Sequence, residues 1–307
     1  MQKTRYLEDL IHQRLFRFHH LLVEGIDNEK VAKFFSSSML AEEFCLFSNK
    51  IRNGDEYCRL LHQRIIHTMQ NKQPLPVVRF ADGEYAFYNC TLGCNGLYQQ
   101  AESVETIKRV MPLHITAMEY LAGHGLFAPL IFPGNSHAAS QNIFSFRGEK
   151  RDSSSADFLD FLHTNHISLN AENYVPFYVV YAYLSSGQFA TAMNGKNICI
   201  LNSEYSKESC IDWFAQFNSH PHLTFVDIPA EYVATRWEEN KTEILNKIPQ
   251  DTDLCLTGAG VGALLICTDV ARSFSIPVID AGHVLNMMNN RVDKSNGARL
   301  YTLRKTR

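Results

Sequence analysis

Asp82 and Glu84 stand one glycine apart in "VVRFADGEYAFY", between a short apolar run and an aromatic-rich one. Two carboxylates at that spacing can turn toward one ion if the backbone bends, and Gly83 permits a bend. Hard cations such as Mg²⁺ and Mn²⁺ take carboxylate oxygens, commonly one or two together with substrate phosphates. Arg79, three residues upstream of Asp82, is placed to pair with a phosphate or with Asp82 itself. The same letters also describe an ordinary Asp-Gly turn with two solvated acids, and spacing alone leaves both readings open.

A second stretch with chemical content is "DLCLTGAGVGALLICTDVARSFSIPVIDAGH". A strand-like run enters Gly258, Gly260 and Gly262 and leaves into a helical pattern. Glycines there let backbone N–H groups and a helix start approach a phosphate. Gly258, Gly260 and Ala263 also match the relaxed dinucleotide fingerprint, with Asp280 about 20 residues on. A nicotinamide-dependent oxidoreductase is therefore a rival reading, although little chain follows Asp280 to complete a second nucleotide-binding half. A close-packed strand–helix turn without ligand is the plain alternative. In "ILNSEYSKESC", Ser203, Ser206 and Ser209 are candidates to cap the following helix. Glu204 is a candidate general base for a hydroxyl nucleophile, or a surface acid. His283, after "DAG", is a candidate base or phosphate contact, or a structural hydrogen-bonding group.

Other classes are poorly served. No G-x-S-x-G elbow and no G-x-x-x-x-G-K-[ST] loop occurs. Cys90 and Cys94 have no second Cys/His pair nearby, which speaks against zinc. The eight cysteines are scattered, several within apolar runs, as expected of reduced thiols in a cytoplasmic protein. A net charge of −3 provides no field for nucleic acid. No run of about 18 apolar residues marks a membrane span, and "MQKTRYLEDLIHQRLF" lacks a signal-peptide core.

These residues need a scaffold. The chain has 307 residues, 45% of them hydrophobic, enough for one large domain with an appendage. Residues 5–70 carry apolar spacings of three and four, as in "YCRLLHQRIIHTM", and predict helices. "NKQPLP" stops that pattern. Beyond it, "VVRFAD", "LFAPLIFPG", "NICILN", "HLTFVDIP", "DLCLTG" and "PVIDAG" predict strands. Helical patterns lie between them, one opened by Ser103 as N-cap. "YVPFYVVYAYLSSG" is ambiguous, and "KRDSSSAD" is the most loop-like stretch. The alternation predicts an α/β fold with a mostly parallel sheet and helices on both faces. A helical extension is expected over residues 1–70 and a catalytic domain over 71–307. Ligands of such sheets bind at the carboxyl ends of the strands. Asp82–Glu84, Asn202–Glu204, Asp227, Gly258–Gly262 and Asp280–His283 are all expected on that rim, with His124 and His137 near it.

Arg79-Phe80-Ala81-Asp82-Gly83-Glu84, the helix from Gly260 through Asp269, and Ile279-Asp280-Ala281-Gly282-His283 occur in that order. Together they resemble the GT-D-type glycosyltransferases, a family first described as a domain of unknown function. The resemblance covers roughly residues 60–290. It implies a Rossmann-like catalytic domain and a nucleotide-sugar donor, typically UDP-linked. It also implies Mn²⁺ or Mg²⁺ held by Asp82 and Glu84 through the diphosphate, with Arg79, Gly258, Gly260, Gly262 and Asp280 around the donor. The chain departs from the family pattern where acids commonly follow Gly-His; it reads Val284-Leu285-Asn286-Met287-Met288. The catalytic base is thereby put in question, with Glu204 and His283 as candidates. The resulting expectation is a cytoplasmic enzyme, acting at the inner face of the membrane on a glycan or lipid-linked glycan in surface-polysaccharide synthesis. Peripheral membrane association and homo-oligomerisation stay open, as does a sugar-nucleotide-binding module without turnover.

Overall fold

The computed structural model describes residues 54–96, 98–130, 155–169, 172–175 and 177–289. Six parallel strands form one sheet in the order β2-β1-β6-β5-β3-β4. They are β1 (Leu75–Phe80), β2 (Leu126–Pro129), β3 (Asn197–Asn202), β4 (His222–Asp227), β5 (Leu254–Gly258) and β6 (Pro277–Asp280). β1, β2 and β6 are buried along their whole length, as expected of parallel strands covered on both faces. β4 lies at one edge and is mostly half-exposed. At the other edge residues 173–175 cover β2: the Phe127 amide donates to the Asn173 carbonyl at 2.7 Å, and the Val175 amide to the Phe127 carbonyl at 2.9 Å. The fold is thus α/β and Rossmann-like.

Between the strands run α1 (Gly54–Asn71), α2 (Asp82–Tyr88), α3 (Val104–His124), α4 (Ser155–Thr164), α5 (Phe177–Leu184), α6 (Gly187–Ala192), α7 (Lys207–Ala215), α8 (Val233–Lys247), α9 (Ala263–Phe274) and α10 (His283–Met288). α3, α8 and α9 pack on one another and cover one face; α1 packs on α5 and touches β6 on the other. Expected caps are present: Ser103 accepts from the Thr106 amide at 3.1 Å, and Ser206 from the Ser209 amide at 3.3 Å. The expected strand at Val77 begins earlier, at Leu75, because Pro76 lies within it. α1 sends Tyr57, Leu61, Ile65 and Met69 into the same core as the sheet. Residues 1–53, His137 and most of "KRDSSSAD" lie outside the described residues.

The ambiguous "FYVVYAYL" is helical. Its aromatic and β-branched content favours strand, but helical spacing puts Phe177 and Tyr181 one turn apart, and both rings face the Arg79 guanidinium. Tertiary contacts override the propensity. His114, on α3, is fully buried. Its Nε2 lies 2.8 Å from the Ala234 carbonyl, which only accepts, so Nε2 carries the proton. Nδ1 is then the acceptor for the Tyr88 hydroxyl at 3.1 Å. Burial lowers its pKa to about 4 and keeps the ring neutral. This histidine ties α2, α3 and α8 together beneath the rim. His124, expected near that rim, instead ends α3 just before β2 starts, at the opposite end of the strands, stacked on Tyr120 at 4.3 Å. No helix among the described residues is long and apolar enough to cross a membrane.

Candidate functional site

A cavity of about 390 Å³ opens where β1, β6, β5 and β3 end. Asp82 and Glu84 after β1, Asn202 and Glu204 after β3, Gly258–Val261 after β5, and Asp280 and Gly282 after β6 all line it. Segments separated by up to 200 residues therefore meet on one rim, as the strand-end rule predicts. Asp227 does not join them; it ends the edge strand β4 and faces solvent.

The floor of the cavity is an ion pair. Arg79 and Asp280 are both buried. Arg79 Nη2 donates to Asp280 Oδ1 at 2.7 Å, its Nε to the Asp280 carbonyl at 2.8 Å, and its backbone amide to Oδ2 at 3.3 Å. Nη1 donates to the Tyr181 hydroxyl. The guanidinium centre lies 4.5 Å from the Tyr181 ring and 5.2 Å from the Phe177 ring. Burial works against the guanidinium charge, yet Asp280 and the Tyr181 hydroxyl hold it above its ordinary range. Burial likewise raises the Asp280 pKa, and Arg79 pulls it back down. The partner of Arg79 is therefore Asp280 on β6, not Asp82 three residues along. A dinucleotide ribose would need the Asp280 carboxylate, and both of its oxygens accept from Arg79.

Gly282 completes this floor. Its φ is +42°, and a Cβ there would fall 1.9 Å from Arg79 Nη2. Glycine adopts that backbone most readily, and it alone leaves that space. We expect Gly282→Ala to destabilise the protein by more than the roughly 1–2 kcal/mol of a left-handed alanine, because the guanidinium must also move. Urea denaturation measures this.

Asp82 and Glu84 do not sit on an open turn. They form the first turn of α2, where negative charge favours the helix dipole. Gly83 is helical, with open space where its Cβ would be, so no special bend is required of it. Glu84 is half-buried and turns one oxygen back to accept from the Ala81 amide at 2.8 Å. Desolvation raises its pKa to about 7; Asp280 and Asp82 add to the rise, while the Ala81 amide opposes it. The folded state thus holds a proton that the unfolded chain loses above about 4.5. Stability contributed at this site is present below about pH 4.5, falls as pH rises, and is fully lost above about 7. Glu84→Gln keeps an acceptor for Ala81 and removes the charge. Its melting temperature should exceed that of the wild type at pH 8, and the gain should vanish below pH 4.5. A constant difference across this range would contradict the assignment.

The glycine turn is held mainly by packing. Gly260 has φ +52°, and the side chain of Gln100 fills the space beside it. Gln100 Oε1 accepts from the Val261 amide at 3.1 Å, so that N–H is already engaged. A Cβ on Gly262 would fall 2.5 Å from Val233 Cγ1, and one on Gly258 would fall 3.2 Å from Asn202 Oδ1. Gly262 thus serves the approach of α8, while Gly258 and Gly260 line the cavity. Gln100 had no signal in the sequence, lying 161 positions from its partner.

Glu204 is exposed at the rim, its carbonyl held by the side chains of Asn202 at 2.7 Å and Asn289 at 3.0 Å. His283 opens α10; its side chain lies outside what the structure describes. Cys94 lines the cavity and Cys90 is a free thiol. No group of three or more His, Cys, Asp or Glu able to hold a metal occurs among the described residues.

No family model and no curated protein matches the chain. A solved structure described as "The highly conserved domain of unknown function 1792 has a distinct glycosyltransferase fold" is similar to it at 15% identity and a TM-score of 0.45, over 76% of this chain and 83% of that one. Similarity of that degree concerns the path of the chain only. The chemistry of the site has to be read from its own side chains.

Proposed function

We propose that this chain is a metal-dependent glycosyltransferase. It transfers a sugar from a nucleotide-sugar, a UDP-sugar in the first instance, to a hydroxyl of a glycan or lipid-linked glycan. One observation carries the reading: the charge of the cavity wall. Its described lining holds the carboxylates of Asp82, Glu84, Glu204 and Asp280 against the single guanidinium of Arg79. Asp280 pairs with Arg79, and the described lining carries three further acidic side chains, Asp82, Glu84 and Glu204. A diphosphate cannot enter such a site by itself, whereas a divalent cation is attracted to it. Hard oxygen donors in this number, with substrate phosphates completing the shell, suit Mg²⁺ or Mn²⁺.

Asp82 and Glu84 would hold the cation. When bound, it supplies Lewis-acid stabilisation to the departing diphosphate. Arg79 and Asp280 fix the floor. In the transfer, the bond between the anomeric carbon and the diphosphate oxygen breaks, and the acceptor oxygen bonds to that carbon. The acceptor proton passes to a base, for which Glu204, exposed on the rim, is our candidate and His283 the second. Residues 71–307 carry the catalysis in this reading, and the enzyme works in the cytoplasm on a membrane-proximal glycan.

The test is nucleotide release. UDP-, GDP- and CMP-sugars are incubated with the protein, Mn²⁺ and a candidate acceptor. The proposal predicts acceptor-stimulated release of one nucleotide that chelation stops. Tight binding without any release would make the chain a binding module. NAD binding indifferent to metal would favour the oxidoreductase.

A further inference from the structure

The acidic wall accounts for only one end of the cavity. The loop from Asn95 to Ala101 forms another part of its lining, through Gly96, Tyr98 and Gln100. That loop is tied down on both sides of its apex. Asn95 Oδ1 accepts from the amides of Gln100 at 2.7 Å and Ala101 at 3.0 Å, and its Nδ2 donates to the Ala101 carbonyl at 2.7 Å. Gln100 Nε2 donates to the Tyr98 carbonyl at 3.2 Å. The Tyr232 amide donates to the Gln99 carbonyl at 2.8 Å. Gln100 also binds the glycine turn through Val261, so the loop and the strand-end rim keep a fixed spacing.

All this ordering presents a ring at the cavity wall. Tyr98 is 38% exposed and lines the cavity. Among the described residues no aromatic ring and no cation packs on it, unlike Tyr88, Tyr181 and Tyr232. An aromatic side chain left half in water, on backbone held by these hydrogen bonds, has an apolar face available to a planar ligand. A nucleoside diphosphate has the matching two ends: an anionic group that needs a cation, and a flat base that needs a stacking surface.

Resting on the nucleotide-sugar reading above, we propose that Tyr98 is the stacking platform for the donor's nucleobase. Gly96, Tyr98 and Gln100 then form a base subsite separate from the acidic diphosphate subsite. A sugar face could stack on the same ring, and the experiment separates the two. Pyrophosphate, UDP, CDP and GDP, each with saturating Mn²⁺, are titrated calorimetrically into wild type, Tyr98→Ala and Tyr98→Phe, together with the UDP-sugar. Base stacking predicts that Tyr98→Ala weakens the tightest nucleotide by roughly ten- to hundredfold. Pyrophosphate affinity and the melting temperature should not change, and Tyr98→Phe should bind like the wild type. Three results overturn the inference alone: equal loss for pyrophosphate and nucleotide, no loss at all, or a loss confined to the increment of UDP-sugar over UDP. The inference also falls if no nucleoside diphosphate binds more tightly than pyrophosphate. Failure of pyrophosphate itself to bind with Mn²⁺ overturns the functional reading, and this one with it.

Discussion

Asp280→Ala should lower the stability of the protein by about 3–5 kcal/mol at neutral pH. Arg79 is buried, lies against the Phe177 and Tyr181 rings, and is ion-paired with Asp280. A guanidinium does not shed its proton, so removing the carboxylate leaves a desolvated cation without its hydrogen-bonded counter-charge. The loss should be non-additive. Arg79→Met combined with Asp280→Leu removes both charges and should cost clearly less than the two single changes summed. Guanidinium or urea denaturation of the four proteins measures the coupling. Additive losses would mean that the pair contributes nothing as a pair.

Asp82→Asn should leave the fold intact and abolish metal-dependent turnover. The side chain lies half-buried in the first turn of α2, so losing its charge affects the helix by only about 0.3–1 kcal/mol. As one of two carboxylates holding a cation, it should cost the function far more. Loss of even an outer-shell partner costs about 10- to 100-fold in metal affinity, and a direct ligand should exceed that. The rate of nucleotide release and the melting temperature, taken together, separate a ligand from a first-turn acid. A variant with a slightly lower melting temperature and unchanged release would make Asp82 an ordinary helix-start residue.

Much of the scaffold was legible because it is periodic. From Asn197 to Asp280, apolar strands alternate with amphipathic helices, and each predicted element is present close to its expected bounds. The meeting of Asp82, Glu204, Gly258 and Asp280 on one rim followed from the rule for parallel sheets, before any distance was known. What was not legible depends on contacts rather than on pattern. α2 is seven residues long, too short for a helical period to stand out. α5 carries strand-like residues, and it is helical because Phe177 and Tyr181 must both reach Arg79. The Arg79–Asp280 pair joins residues 201 positions apart, and no local spacing marks it. The three glycines from the end of β5 onward read as a phosphate cradle, a dinucleotide turn or a close-packed turn without ligand. In the fold, one admits Gln100 and another admits Val233, purposes that only the packing around them discloses.

An acid-walled cavity should admit a diphosphate only together with a divalent cation. The most direct measurement is calorimetric titration of UDP into the full chain at pH 8, first with Mn²⁺ and then with EDTA. The account predicts binding with Mn²⁺ and none in EDTA. Equal affinity under both conditions would contradict it.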